Sequence, residues 1–300
     1  GAIDLELTGF SQDEIDGLLV KNEDEQPIEN EDEIPEPQKI VVTKRNDIWL
    51  LGESRLMCGS STNAEDVSTL FGGAKPQILL TDPPYCSGGF QETGRSAGSI
   101  GRRSEDENGK RPKILNDKLS TRGFISLLNN VLNLSPTLFA YVFTDWRMWC
   151  YLYDCLECNG FNVRSMIVWD KGTMGMGKGW RSQHELAAFA VKTVPNFDGH
   201  KGYGNVLKCK RSGNELHPTQ KPVELIEQLI DNTINFAHGI FDPFAGSGTT
   251  LIAAQRFNEK CFLMELDPKF CDVIVKRWQN LTGQKAYRES DGVAFDDLAN

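Results

Sequence analysis

The chain has 300 residues, enough for one large domain or one domain with appendages. Hydrophobic residues make up 39% of it, and no apolar run reaches membrane-spanning length. The N-terminus lacks the basic-then-apolar build of a signal peptide, so the expected location is cytoplasmic. The net charge of -10 is unevenly spread: residues 1–37 carry thirteen acids and one lysine (1 - 13 = -12), and the rest is near neutral at +2. Contact with a polyanion by the body of the chain is therefore not excluded. The eight cysteines are scattered through apolar segments, which suits reduced, buried thiols. Cys155 and Cys158 form the one CxxC pair, with no second pair at zinc spacing, so no metal site is expected.

In chain order, residues 1–21 read as a short N-terminal helical remnant, with Ser11 placed to cap it. Residues 22–37 are acidic, proline-punctuated and poor in apolar side chains, which predicts a disordered linker. The globular body is expected over 38–300. It opens with strands at Lys39–Thr43 and Ile48–Leu51, then a helix through Val67 and Leu70 capped from Ser60-Ser61-Thr62. The apolar run Ile78-Leu79-Leu80 predicts a buried parallel strand.

That strand runs into Thr81-Asp82-Pro83-Pro84-Tyr85. Each proline fixes its own φ and pushes the preceding residue out of the α region, so Asp82 and Pro83 are both held extended. The Asp82 carboxylate and the Pro83 carbonyl then form a stiff ledge past a strand's carboxyl end, where open α/β sheets bind ligands. Two fixed acceptors beside the flat ring of Tyr85 suit an exocyclic amino group on a nucleobase. Its two N–H bonds would be accepted, its lone pair aimed outward, and its ring stacked. A plain strand-ending turn is the alternative reading of the pentapeptide.

Residues 86–116 hold six glycines and six basic side chains without helical or strand period. They read as a mobile loop that orders on a nucleic-acid backbone, or else as a solvated insertion. Beyond it, helices at 121–134 and 146–158 alternate with strands at 137–143 and 162–169, which indicates an α/β fold with a parallel sheet covered on both faces. Residues 171–216 carry eight basic and three acidic residues interleaved with Trp180, Phe197 and Tyr203, a composition suited to phosphates and bases.

His217-Pro218-Thr219-Gln220-Lys221-Pro222 leads into a helix over 223–234. A strand then ends in Asp242, followed by Pro243-Phe244-Ala245-Gly246-Ser247-Gly248 and another helix, the layout of a nucleotide-type cofactor site. The next strand ends in Glu265-Leu266-Asp267, an acid placed for ribose hydroxyls. The third glycine of the dinucleotide fingerprint is missing and there is no phosphate loop, so a cofactor without phosphates such as S-adenosylmethionine fits better. Its ammonium would meet Asp242, its ribose Glu265, and its carboxylate the Thr219-Gln220-Lys221 turn.

Over roughly residues 38–283 the chain resembles S-adenosylmethionine-dependent DNA amino-methyltransferases, through Asp82-Pro83-Pro84-Tyr85, the Asp242–Gly248 loop and His217–Pro222. The ledge precedes the cofactor loop, an order similar to the circularly permuted β group of that family. The resemblance implies a class I methyltransferase Rossmann-like sheet of seven mostly parallel strands with the last one reversed. It implies target recognition within 171–216, base flipping in double-stranded DNA, and the setting of restriction-modification. Asp82, Pro83, Pro84 and Tyr85 would be catalytic. Asp242, Phe244, Gly246, Ser247, Gly248, Glu265, Asp267, Thr219 and Lys221 would bind the cofactor. Aspartate at position 82 favours adenine N6 over cytosine N4. A protein-amide methyltransferase and a non-catalytic DNA-binding module are the other readings, and a homodimer is left open. Residues 1–21, through Asp4-Leu5-Glu6-Leu7-Thr8-Gly9-Phe10, faintly resemble the end of a partition-protein-like domain sometimes fused upstream.

Overall fold

The computed structural model describes residues 32–38, 40–84, 119–175, 179–192, 202–210 and 220–298. The chain divides into two units, 1–31 and 32–300. The predicted helical remnant at 1–21, the loop at 86–116, and parts of 171–216 lie outside the described residues.

The second unit is built on one ten-stranded sheet. Its strands are β1 (Ile48–Leu51), β2 (Ser54–Cys58), β3 (Ile78–Thr81), β4 (Phe139–Thr144), β5 (Asn162–Asp170), β6 (His184–Val191), β7 (Val206–Lys208), β8 (Ile240–Asp242), β9 (Cys261–Glu265) and β10 (Tyr287–Arg288), in the order β10-β1-β2-β9-β8-β3-β4-β6-β5-β7. The seven central strands, β2 to β5 in that order, are parallel except β6, which runs antiparallel to both β4 and β5. The expected seven strands are thus extended to ten by β1 and β10 at one edge and β7 at the other.

Seven helices complete the described part of the unit: α1 (Ala64–Phe71), α2 (Thr121–Leu134), α3 (Trp149–Cys158), α4 (Val223–Asp231), α5 (Thr249–Gln255), α6 (Pro268–Thr282) and α7 (Phe295–Leu298). Successive strand residues alternate between two cores. Ile78 and Leu80 pack with α4, α5 and α6, while Leu79 packs with α1, α2 and α3. A strand covered on both faces has no polar side to show, which is why β3 reads as an unbroken apolar run.

Several local expectations change on folding. Ile40–Thr43 is no strand: the Val42 and Thr43 amides donate to the buried Asp272 carboxylate at 2.8 and 2.9 Å, so they have no ladder to join. Asn63, rather than the serines before it, caps α1 by accepting from the Glu65 amide at 2.9 Å. The end of the expected acidic linker is docked: Ile34 is buried, and the Asp32 carboxylate accepts from the Val223 amide at 3.0 Å at the start of α4. Cys150 and Cys158 are exposed on α3, against the expectation of buried thiols, because the helix buries its other face through Leu152, Cys155 and Leu156.

β3 and β8 lie side by side and parallel. From β3 the chain moves to β4 on one side, and from β8 it moves to β9 on the other. Such a divergence opens a crevice beyond the carboxyl ends of the two strands, where doubly wound sheets place ligands.

Candidate active site

The crevice is a cavity of about 250 Å³. Its walls come from the turn after β2 (Gly59 to Thr62), the ledge after β3 (Asp82, Pro83, Pro84), the turn after β8 (Asp242 to Ser247) and the end of β9 (Glu265 to Asp267). Segments more than 150 residues apart in sequence therefore share one cleft. Tyr85 and Thr219 lie outside the described residues.

The two adjoining strand ends are tied together. Thr81 Oγ1 donates to Asp242 Oδ1 at 3.0 Å, and Thr250 Oγ1 donates to Asp242 Oδ2 at 2.6 Å. The Phe244 amide adds a third bond to Asp242 Oδ1 at 3.1 Å. Asp242 thus braces the turn as well as facing the cavity. Burial pushes its carboxyl up to about 6, partly opposed by those three donors.

Glu265 does the same for the next loop. Its Oε2 accepts from the Gly246 amide and its Oε1 from the Asp267 amide, each at 2.9 Å. Burial pushes Glu265 up to about 7. The Asp267 carboxylate caps α6 by accepting from the Lys269 amide at 3.0 Å. The two glycines of the turn have different reasons. Gly246 sits at φ +54°, where an added Cβ would meet the Phe244 carbonyl oxygen at 3.9 Å, and it lines the cavity. Gly248 does not line the cavity: at φ +81° it faces α6, where an added Cβ would meet Ile274 Cγ2 at 3.0 Å. Ser247 is held from behind by the buried Arg277 guanidinium, which donates to its carbonyl oxygen at 3.1 Å.

Lys221, expected at the cofactor's carboxylate, lines the cavity, and its ammonium ion-pairs with Asp82 Oδ2 and lies 3.2 Å from Glu185 Oε2. It also sits 5.0 Å from the centre of the Phe143 ring. Lys221 is only 6% exposed, and a buried ammonium is held where counter-charges converge. Lys171 Nζ bonds the other oxygen of Glu185 at 2.5 Å. Burial alone would raise Glu185, but the two lysines bring it down to about 2. Burial likewise pushes Asp82 up, Lys221 pulls it back, and the carboxyl stays above its ordinary value. Asp82 Oδ1 is buried with no hydrogen-bond partner among the described residues, an acceptor waiting for a donor.

Glu185 and Lys171 escaped the sequence reading. The available signal was an acid at the start of β6, whose residues from Leu186 to Val191 are apolar and buried.

A parallel sheet with one reversed strand next to its end, and a cleft at the switch point holding an acid on each of two adjacent strands, define the class I methyltransferase fold. Comparisons agree. A family model described as DNA methylase matches residues 199–276, and one described as ParB-methyltransferase HTH domain matches residues 1–45. Type II methyltransferase M2.LlaDCHI of Lactococcus lactis subsp. cremoris is 32% identical over 223 residues, covering 67% of this chain and 81% of its own. Type II methyltransferase M2.DpnII of Streptococcus pneumoniae is 23% identical with the same coverage. Among solved structures, TTHA0409 of Thermus thermophilus, complexed with S-adenosyl-L-methionine, matches with TM-score 0.51 at 17% identity over 80% of this chain and 97% of its own. The cytosine-N4-specific PvuII DNA methyltransferase matches with TM-score 0.50 at 14% identity, over 82% and 94%. The chain belongs to the type II DNA methyltransferase family.

Proposed function

We propose that this protein transfers a methyl group from S-adenosylmethionine to the N6 amino group of adenine in double-stranded DNA. The observation that carries the reading is the shared cleft: the Asp82 ledge and the Asp242–Ser247 turn face one cavity and are bonded through Thr81. When bound, S-adenosylmethionine supplies an electrophilic methyl carbon on a sulfonium. The residues present suit it: Glu265 for the ribose hydroxyls, Phe244 as an apolar wall, and Gly246 where the backbone must be approached closely.

The ledge handles the other substrate. The target adenine leaves the stack at a cost of about a few kcal/mol. Asp82 Oδ1 and the Pro83 carbonyl accept its two amino N–H bonds, and Tyr85 offers a ring to stack on. With both N–H bonds held, the amino lone pair points at the methyl carbon. As the new N–C bond forms, the C–S pair returns to sulfur and one amino proton is shed. A carboxyl held above its ordinary value at position 82 is a good acceptor for that proton. Holding both partners in line is worth about 7–11 kcal/mol in well-oriented systems, so geometry supplies much of the acceleration.

DNA contact is assigned to the basic segments 86–116 and 171–216. Trp180, fully exposed in the turn between β5 and β6, is available to bases in the latter. The ledge-before-turn order along the chain supports assignment to the permuted β group. A body from about residue 38 preceded by a separate N-terminal module is the domain layout proposed.

The test is transfer of radiolabelled methyl from S-adenosylmethionine to unmethylated DNA, followed by digestion to nucleosides. Label in N6-methyladenine is expected. Label in N4-methylcytosine would move the assignment to cytosine, whose amino group meets the same two acceptors, and the absence of label from DNA would overturn the reading.

A further inference from the structure

Asp82 stands at one end of a line of alternating charge: Asp82, Lys221, Glu185, Lys171. The line crosses several parts of the fold. Asp82 follows β3, Lys221 precedes α4, Glu185 opens β6, and Lys171 follows β5. The cluster is more than a structural tie, because one of its atoms is left over. Asp82 Oδ2 is taken by Lys221, while Oδ1 is buried and has no partner among the described residues. A carboxylate free to rotate about its last bond would present either oxygen to the cleft. Here the ion pair fixes which one is presented.

We propose that Lys221 and Glu185 are positioning residues for Asp82: Lys221 holds Oδ2, Glu185 holds Lys221, and Oδ1 is thereby kept as the acceptor for the substrate's amino group. The inference rests on the methyl-transfer reading above and adds two residues to it. Glu185 acts on Lys221 by charge and on its aim, since the ammonium lies between two carboxylates and 5.0 Å from the centre of the Phe143 ring. Lys221 is correspondingly moved from the cofactor to the ledge.

The charged groups facing Asp82 are Lys221, Glu185, Lys171 and, across the strand ends, Asp242. This makes opposite pH signatures for two variants. Lys221→Met removes a neighbouring cation, so Asp82 holds its proton to higher pH. Glu185→Gln removes a neighbouring anion, so Asp82 gives its proton up at lower pH. A purely structural cluster has no reason to move the acid limb of the pH profile in opposite directions.

The experiment measures kcat, KM for S-adenosylmethionine, cofactor affinity by calorimetry and the pH profile of kcat, for the parent protein, Lys221→Met and Glu185→Gln on unmethylated DNA. The expected result is kcat lowered about 10- to 100-fold in each variant, with cofactor affinity within about twofold of the parent. The acid limb of the profile moves up in pH for Lys221→Met and down for Glu185→Gln. Unchanged kcat, or limbs that stay in place or move together, would overturn the proposal. Cofactor affinity falling in step with kcat would also overturn it, returning Lys221 to the cofactor site. A parent protein that methylates no DNA would instead sink the reading on which it rests.

Discussion

Thr81 Oγ1 donates to Asp242 Oδ1 across 3.0 Å, joining the end of the strand that carries the ledge to the end of the strand that carries the glycine turn. The pair is buried and its members are 161 residues apart. Because the chain leaves β3 and β8 in opposite directions at this point, the bond fixes the spacing of the two halves of the cleft. Thr81→Val removes the donor and keeps the shape. We expect it to cost about 1–3 kcal/mol of stability through an Asp242 oxygen left with one donor fewer. Methyl transfer should fall along with it, as read by denaturant unfolding and labelled-methyl assay.

Asp82→Ala should lower transfer by about 10²–10³-fold or more, the scale of losing one preorganised group at a reacting centre. Cofactor affinity should survive, since the Asp242–Ser247 turn and Glu265 are untouched. Calorimetric titration with S-adenosylmethionine alongside the transfer assay separates the two. Retained transfer would remove the ledge from the chemistry.

Burial holds Glu265 at about 7 against an ordinary 4.5, and Asp242 at about 6 against an ordinary 3.8. Between those values the folded chain binds more protons than the unfolded one. Stability therefore falls as pH rises, from below the ordinary values up through about 7. Melting temperatures of the cofactor-free protein should decline from about pH 5 to about pH 7, with a shallower slope in Glu265→Gln. A ribose-binding role adds a second sign: cofactor affinity in the parent should strengthen as pH rises through about 7, where the carboxylate forms.

Gly248→Ala should destabilise by about 1–3 kcal/mol, from a positive φ and from a Cβ pressed on Ile274. The same change should cost less in an Ile274→Ala background, which removes both γ carbons that the new Cβ would meet. Thermal unfolding of the single and double variants decides it. Equal losses in both would leave the backbone conformation as the sole cause.

Asp272→Ala leaves the Val42 and Thr43 amides without their acceptor at a buried site. The expected cost is about 2–6 kcal/mol, at about 1–3 per orphaned group. Asp272→Asn, which keeps one acceptor oxygen, should recover part of it in denaturant unfolding.

Much of the site could be read before any fold was known, because its devices are local. Two prolines stiffen Asp82 and Pro83 wherever the segment goes, and an unbroken apolar run at 78–80 needs cover on both faces. Gly246 and Gly248 announce a tight turn between a strand and a helix, and Glu265 ends the next apolar strand. What tertiary structure alone decided is which distant groups meet. Lys221 reaches Asp82 from 139 residues away, and Asp272 takes amides that would otherwise have joined a strand at 40–43. The edge strands β7 and β10 owe their place to neighbours supplied by other segments. Backbone stiffness and apolar period are written over a few adjacent residues. The pairing of buried charges depends on strand order and register, and these are set by the whole sheet at once.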